Sequence, residues 1–315
     1  MISKWLCLIV SFLAASIVQC GKEETPEVKN TEKQVPVITN PPAKKSGVVA
    51  PGAELLKLAG GFGFTEGPVR DAEGNVYFTD DTNGKVYRWS TDGSLSTYLD
   101  SLKNPAGLAI DRKGRLLICE KGNHRVIAVE SNKKKVVLAH MYNGKLLNQP
   151  NDLWVDLKGG IYFSDPYYGP KDQMPQDGKH VYYITPDQKQ VIRVTHDVVH
   201  PNGVIGTPDG KLLYVADNRG EVKTWVFDIN DDGSLANKRL HADQGADGVT
   251  LDTDGNIYLT MDKIYVYNTK GVLIDEIDTP EPPHNLCFFG EDNRTLFITA
   301  EKSIYSIRLR TQGMY

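Results

Sequence analysis

One short pattern is written six times along this chain, and it constrains the fold more than any other feature. It reads Glu66-Gly67-Pro68, Ala106-Gly107-Leu108, Asn151-Asp152-Leu153, Asn202-Gly203-Val204, Asp247-Gly248-Val249 and His284-Asn285-Leu286. Five of the six runs continue into an apolar strand, a D-x-x-G-type turn and a second apolar strand. The sixth is looser, through Phe289-Gly290-Glu291-Asp292-Asn293. The starts at 66, 106, 151, 202, 247 and 284 lie 40, 45, 51, 45 and 37 residues apart. A period of roughly 40–45 residues rich in short strands is that of a β-propeller blade. The predicted fold class is therefore all-β, a six-bladed β-propeller with four-stranded antiparallel blades around a central channel. Six blades consume about 250 residues in one closed unit, which overrides the two domains that a length of 315 residues would otherwise suggest.

Blade three displays the logic. Strand A is Asp152–Asp156, strand B Ile161–Asp165, strand C His180–Ile184 and strand D Gln190–Val194, punctuated by Gly, Asp and Pro. This order puts the A–B and C–D turns on one face, and the B–C loops and D-to-A connections on the other. The first position of each repeat begins the innermost strand, so it borders the channel on the second face. The long loop 166–179 (Tyr167-Tyr168-Gly169-Pro170 and onward) shares that face and reads as either a lid over the channel or a surface excursion. Strand B ends repeat an acid: Asp80, Glu120, Asp165 and Asp217, with Asp262 and Glu301 one place later. Most of these are expected to organise turns. Glu54–Leu58 looks like a strand that pairs into the last blade beside Ser303–Leu309, closing the ring and covering its open edges.

Down the first position of the six repeats the residues are Glu66, Ala106, Asn151, Asn202, Asp247 and His284. Rotation about one axis brings these positions together. Glu66 and Asp247 bring negative charge, and Asn151 and Asn202 bring neutral oxygens. Calcium takes six to eight such oxygens, so four protein ligands leave positions for water or substrate. Zinc is disfavoured because soft ligands are missing, while magnesium or another divalent cation remains an alternative. His284 reads as a substrate-contacting or proton-transfer group, with a channel-wall histidine as the bland alternative.

The rest of the composition excludes more than it adds. A net charge of −4, with 40% hydrophobic and 24% charged residues, and no basic cluster interleaved with aromatics, argue against a nucleic-acid partner. Cys119 and Cys287 sit in apolar strands of different blades and read as buried free thiols. Residues 1–20 read as a signal peptide: Lys4, then the 14-residue apolar stretch Trp5–Val18, too short for the roughly 20 residues of a spanning helix. The run Ile17-Val18-Gln19-Cys20 resembles a bacterial lipoprotein processing site, with Cys20 lipidated, although Gln19 is a poor match; ordinary cleavage is the alternative. The chain is thus expected to be exported, either membrane-anchored through Cys20 or periplasmic or secreted. Residues 21–50, rich in Lys, Glu, Thr, Pro and Asn, read as a disordered linker, and residues 51–315 as the propeller domain.

Thr65-Glu66-Gly67-Pro68, Pro150-Asn151-Asp152, Pro201-Asn202-Gly203-Val204 and Asp247-Gly248, in that order, resemble the senescence marker protein/gluconolactonase family of six-bladed propellers over about residues 55–310. The resemblance implies that Glu66, Asn202 and Asp247 bind a divalent ion, usually calcium. It further implies that Asn151 binds substrate or joins the metal shell, and that Asp247 is the general base. The more distant diisopropyl fluorophosphatase propellers resemble the calcium ring too. Two places before Asn151, where senescence marker proteins carry arginine, this chain has Gln149, which removes a charged substrate contact. The function expected is a calcium-dependent hydrolase opening a lactone, a small-molecule substrate, with Asp247 and His284 as catalytic groups and Asn151 and His284 contacting substrate. No G-x-S-x-G nucleophile elbow is present. The alternatives are a phosphotriesterase- or fluorophosphatase-like hydrolase at the same ion, and a surface-tethered binding propeller without catalysis.

Overall fold

Blade strands in this chain are nearly continuous apolar runs, because both faces of each blade are covered by neighbours. In blade three, Ile161 and Phe163 of strand B and Tyr182 and Ile184 of strand C pack on one side with Leu117, Val126 and Ala128 of blade two. The intervening Tyr162, Val181 and Tyr183 pack on the other side with Val204, Leu213 and Phe227 of blade four. This period-two alternation, apolar on both faces, sandwiches each blade between two others. Each fully buried large side chain of this kind contributes about 1.5–3 kcal/mol.

The computed structural model describes residues 47–315. It contains six four-stranded antiparallel sheets and one two-stranded hairpin, Met141–Tyr142 with Lys145–Leu146. Blades one to five run in chain order from the inner strand outward, beginning with Thr65–Arg70, Pro105–Ile110, Leu153–Val155, Pro201–Gly206 and Val249–Leu251. Blade six begins with Pro283–Phe289, and its outermost strand is Leu56–Gly60 from the other end of the chain, paired antiparallel with Ser303–Arg308. The closing strand expected at 54–58 is therefore found two residues later. Residues 47–50, assigned to the linker by composition, are built into the propeller: Val48 is buried in the core of blades five and six, and Val49 bridges Leu309. The signal segment 1–20, with Cys7 and Cys20, and the rest of the linker lie outside the described residues. Of the other two cysteines, both free, Cys119 is buried and Cys287 partly exposed.

The D-x-x-G turns have a common construction. Asp156 Oδ1 accepts from the amides of Lys158 and Gly160, each at 2.8 Å, while Gly159 takes a left-handed φ of 88° that other residues adopt at a cost. On the opposite face the acids ending strand B do different work. Asp80 accepts from Phe64 N at 3.1 Å, Glu120 from Lys103 N at 2.9 Å, Asp165 from Asn148 N at 2.8 Å and Asp217 from His200 N at 3.0 Å. Each carboxylate thus pins the chain two or three residues before it reaches the first position of its repeat. Below the channel, residues 309–315 run beneath blades five, four and three. Thr253 N donates to Gln312 O and Met314 N to Leu251 O, and Trp154 Nε1 donates to Tyr315 Oη at 3.2 Å.

Candidate metal centre and active site

Strand A of four blades is irregular at its first residues. The pairing register shifts between Glu66 and Val69, Pro105 and Leu108, Pro201 and Val204, and Pro283 and Asn285. Bulges of this kind re-aim side chains, here toward the channel mouth. The second position of the repeat is where the inner strands crowd. A Cβ on Gly67 would meet Ala106 O at 2.4 Å, and one on Gly203 would meet Asp247 O at 2.9 Å, so glycine is required for the close approach. At the same position in blades three and six, Asp152 and Asn285 fold back and accept from the amides of Leu153 and Leu286. Burial, assisted by the charges of Glu66 and Asp247, pushes Asp152 up to about 8.

The structure joins all five polar first-position residues into one network. Ligand atoms of Glu66, Asp247 and His284 lie within 4.8 Å of one another. His284 Nδ1 meets Asp247 Oδ2 at 2.9 Å, and its Nε2 lies 3.4 Å from Glu301 Oε1. Asn202 Nδ2 donates to Asp247 Oδ1. Asn151 is connected through Tyr168, whose hydroxyl accepts from Asn151 Nδ2 at 2.8 Å and Asn202 Nδ2 at 3.1 Å. Ala106 supplies only a methyl group. Exposures of 3% for Glu66, 4% for Asn151 and 1% for Asn202 keep these groups nearly dry.

The electrostatics are unbalanced in one direction. Burial first, and the neighbouring Asp247 charge second, push the Glu66 carboxyl up to about 7, with His284 and Lys121 offsetting only part of this. Burial acts to lower His284, but its hydrogen bond to Asp247 and the charges of Glu66, Asp247 and Glu301 outweigh that and hold it up at about 8. Tyr168 is pushed well above 10 by burial and by Asp247 and Glu66. The carbonyl oxygens of Asn202 and Asn218 are buried without a hydrogen-bond partner, although Asn218 Nδ2 donates to Asp247 Oδ1 at 3.2 Å. Two crowded carboxylates beside unpartnered amide oxygens are a hard-oxygen donor set of the kind a divalent cation takes. The residues present fit calcium.

Sequence reasoning missed several members of this site. Tyr168 lies in the loop read as a lid or excursion. Asn285 donates to Glu66 Oε2 at 3.5 Å, and the Phe64 ring centroid lies 4.2 Å from that of His284, the two rings tilted by 41°. Lys121 is ion-paired with Asp81 at 2.5 Å. The aromatic pair Tyr167-Tyr168 beside Gly-Pro was the available signal for the loop. Loop 166–179 is not loose throughout: Gln176 Nε2 donates to the carbonyls of Tyr142, Lys145 and Leu146, and Gln176 N to Asn148 Oδ1.

Comparison with known proteins agrees with this architecture. A family profile described as "SMP-30/Gluconolactonase/LRE-like region" matches residues 64–302. A gluconolactonase from Zymomonas mobilis is 27% identical over 290 residues, covering 81% of this chain and 81% of that protein. The solved structure of a gluconolactonase from Xanthomonas campestris superposes with a TM-score of 0.80 at 28% identity, covering 87% of this chain and 97% of the other. A calcium-binding regucalcin from Agrobacterium tumefaciens, at 16% identity, shares the fold with a TM-score of 0.69, covering 82% and 94% of the two chains.

Proposed function

The chain belongs to the SMP-30/gluconolactonase/LRE-like family, and from that premise we propose that it is a calcium-dependent hydrolase that opens a lactone ring. The observation that carries the reading is the Glu66–Asp247–His284 cluster beside the buried, unpartnered carbonyl of Asn202. Glu66, Asn151, Asn202 and Asp247 would hold the ion, which supplies Lewis-acid polarisation and charge neutralisation at the reacting carbonyl. Family relatives named as gluconolactonases support the substrate class.

The chain's own residues then divide the proton work. Asp247 takes a proton from the attacking water, and the hydroxide so formed makes the new C–O bond at the lactone carbonyl carbon. The ring C–O bond breaks, and its oxygen takes a proton from His284. His284 is suited to this donation because, against the cost of burial, its hydrogen bond to Asp247 and the charges of Glu66, Asp247 and Glu301 favour its protonated form. The product is the open hydroxy acid, and exchange with solvent restores both side chains. Phe64, packed against His284, keeps that ring turned toward Asp247.

The test is turnover of a lactone panel and of paraoxon-type esters by the purified protein, with EDTA and with calcium restored. Lactone opening that EDTA removes and calcium restores is expected. Faster displacement at phosphorus would favour the phosphotriesterase alternative, and retained calcium without turnover of either class would leave a binding propeller. The N-terminal segment carries a separate proposal, export with lipidation at Cys20. Incorporation of a labelled fatty acid that persists in Cys20→Ser would contradict it.

A further inference from the structure

An asparagine amide is two-ended. Its oxygen and nitrogen are nearly the same size, so turning it over exchanges an acceptor for two donors at little steric cost. A site that needs carbonyl oxygens from both Asn151 and Asn202 must therefore fix which end faces inward. For Asn202 the choice is fixed twice. Its Nδ2 donates to the carboxylate of Asp247, a group that when ionised can only accept, and also to the Tyr168 hydroxyl at 3.1 Å. Its Oδ1 is left buried and unpartnered. For Asn151, the hydrogen bond seen on the side chain is the one from Nδ2 to Tyr168 Oη, at 2.8 Å.

The Tyr168 oxygen has two lone pairs and one proton. Two amide N–H groups fill both lone pairs. Were both amides reversed, the single phenol proton could serve only one of the two carbonyls facing it. The hydroxyl is thus matched to two donors, and so to two carbonyl oxygens turned the other way.

Tyr168 is itself held from several directions. Its backbone amide donates to Gln149 Oε1 at 2.7 Å, and Gln149 N donates to Pro166 O at 3.1 Å. The His200 ring lies 5.2 Å from the Tyr168 ring, and the guanidinium carbon of Arg219 lies 4.9 Å over it. Gln149, two residues before Asn151, therefore has a job here: it ties the start of the loop to the strand that carries Asn151.

We propose that Tyr168 is a positioning residue whose hydroxyl turns the amides of Asn151 and Asn202 so that both carbonyls face the cation, with Gln149 holding the tyrosine in place. The proposal rests on the ion reading given above. Tyr168→Phe isolates it, because the ring and its contacts with His200 and Arg219 remain and only the oxygen is lost. Partners that orient metal ligands are worth about 10–100-fold in affinity.

The experiment is calorimetric titration of the EDTA-stripped full-length protein with calcium chloride, beside thermal melting of the ion-free forms. Calcium binding at least about tenfold weaker in Tyr168→Phe, with the ion-free melting temperature unchanged, is the expected result. Asn151→Ala added to Tyr168→Phe should then cost less than Asn151→Ala alone, because the amide has already lost its guide. Gln149→Ala, which leaves the hydroxyl but frees its loop, should weaken calcium binding by a smaller factor and gives a second reading if Tyr168→Phe does not fold. Wild-type protein that binds calcium while Tyr168→Phe binds it equally well overturns the clamp and leaves the ion standing. Wild-type protein that takes up no calcium removes both. Ion-free Tyr168→Phe melting as far below wild type as the loaded form does would make the hydroxyl a structural group and overturn the proposal.

Discussion

Replacing Glu66 by glutamine should reverse the order of two melting curves. Glu66 is 3% exposed; its Oε2 accepts from Gly67 N at 2.9 Å and from Asn285 Nδ2 at 3.5 Å. Burial, then Asp247, raises it from an ordinary 4.5 to about 7. A carboxyl raised in the folded state holds its proton more tightly there than in the unfolded chain. Its contribution is therefore fully present below the unfolded value and is lost as pH rises through about 7. At about 1.4 kcal/mol per pH unit, the ion-free protein above that pH forgoes about 3 kcal/mol. Glutamine has no charge to desolvate, keeps an acceptor for Gly67 and Asn285, and offers an NH₂ group to Asp247. In EDTA at about pH 8 the variant should melt higher, by roughly 6 °C at about 2 °C per kcal/mol for a domain of this size. At about pH 4 the two should melt together. In calcium at a thousandfold over its dissociation constant the wild type gains about 4 kcal/mol, the variant gains little, and the order inverts. Differential scanning calorimetry under the three conditions reads all of this. Ion-free Glu66→Gln melting below wild type at about pH 8 would show that the carboxylate pair is not strained, and the argument for a cation site would fail.

Two further outcomes follow from the same geometry. His284→Gln should lower kcat for lactone opening by about a hundredfold or more, and the wild-type rate should show an alkaline limb as His284 loses its proton, at a pH that calcium on Glu66 and Asp247 brings below the ion-free value of about 8; an alkaline limb that survives in the variant would assign it to another group. Deleting residues 47–60 removes the outer strand of blade six and leaves Ser303–Arg308 as an open edge, so light scattering should report association, and a monomer of unchanged melting temperature would show that the closing strand is dispensable.

What the sequence carries and what only the fold reveals divide along a physical line. Strands B and C of blade three fall where the pattern puts them, at Ile161–Asp165 and His180–Ile184, because short apolar runs between Gly, Asp and Pro leave little choice of boundary. The closing strand slipped by two residues because Leu55 and Leu56 are equally apolar; Leu55 is buried and Leu56 47% exposed, and hydrophobicity alone cannot phase an edge strand that has one covered face. Val48 is hard to read for a similar reason: Val48-Val49-Ala50 is a very short apolar run at the end of a polar stretch. Tyr168 was beyond reach in a different way. Its partners are 17 and 34 residues away, in a loop without period, and which end of an amide faces inward leaves no trace in composition.

The acids that end strand B explain why the first positions could be read at all. Asp80, Glu120, Asp165 and Asp217 are fully buried, and each accepts from at least one amide of the chain entering its own repeat, while Glu120 also pairs with Arg125 and Asp217 also accepts from the amides of Arg219, Gly220 and Glu221. They are turn residues, as most were expected to be, but the turn they hold delivers the next side chain to the channel mouth. Because that delivery is made through backbone amides, the delivered residue is free to vary: Glu66, Ala106, Asn151 and Asn202 arrive on the same support. Losing one of these carboxylates strands the amides it holds at about 1–3 kcal/mol each. The fold thus resists change at the acids and tolerates it at the ring, and a charge-bearing set such as Glu66 and Asp247 can be held at the mouth although, without a cation, it is unfavourable there.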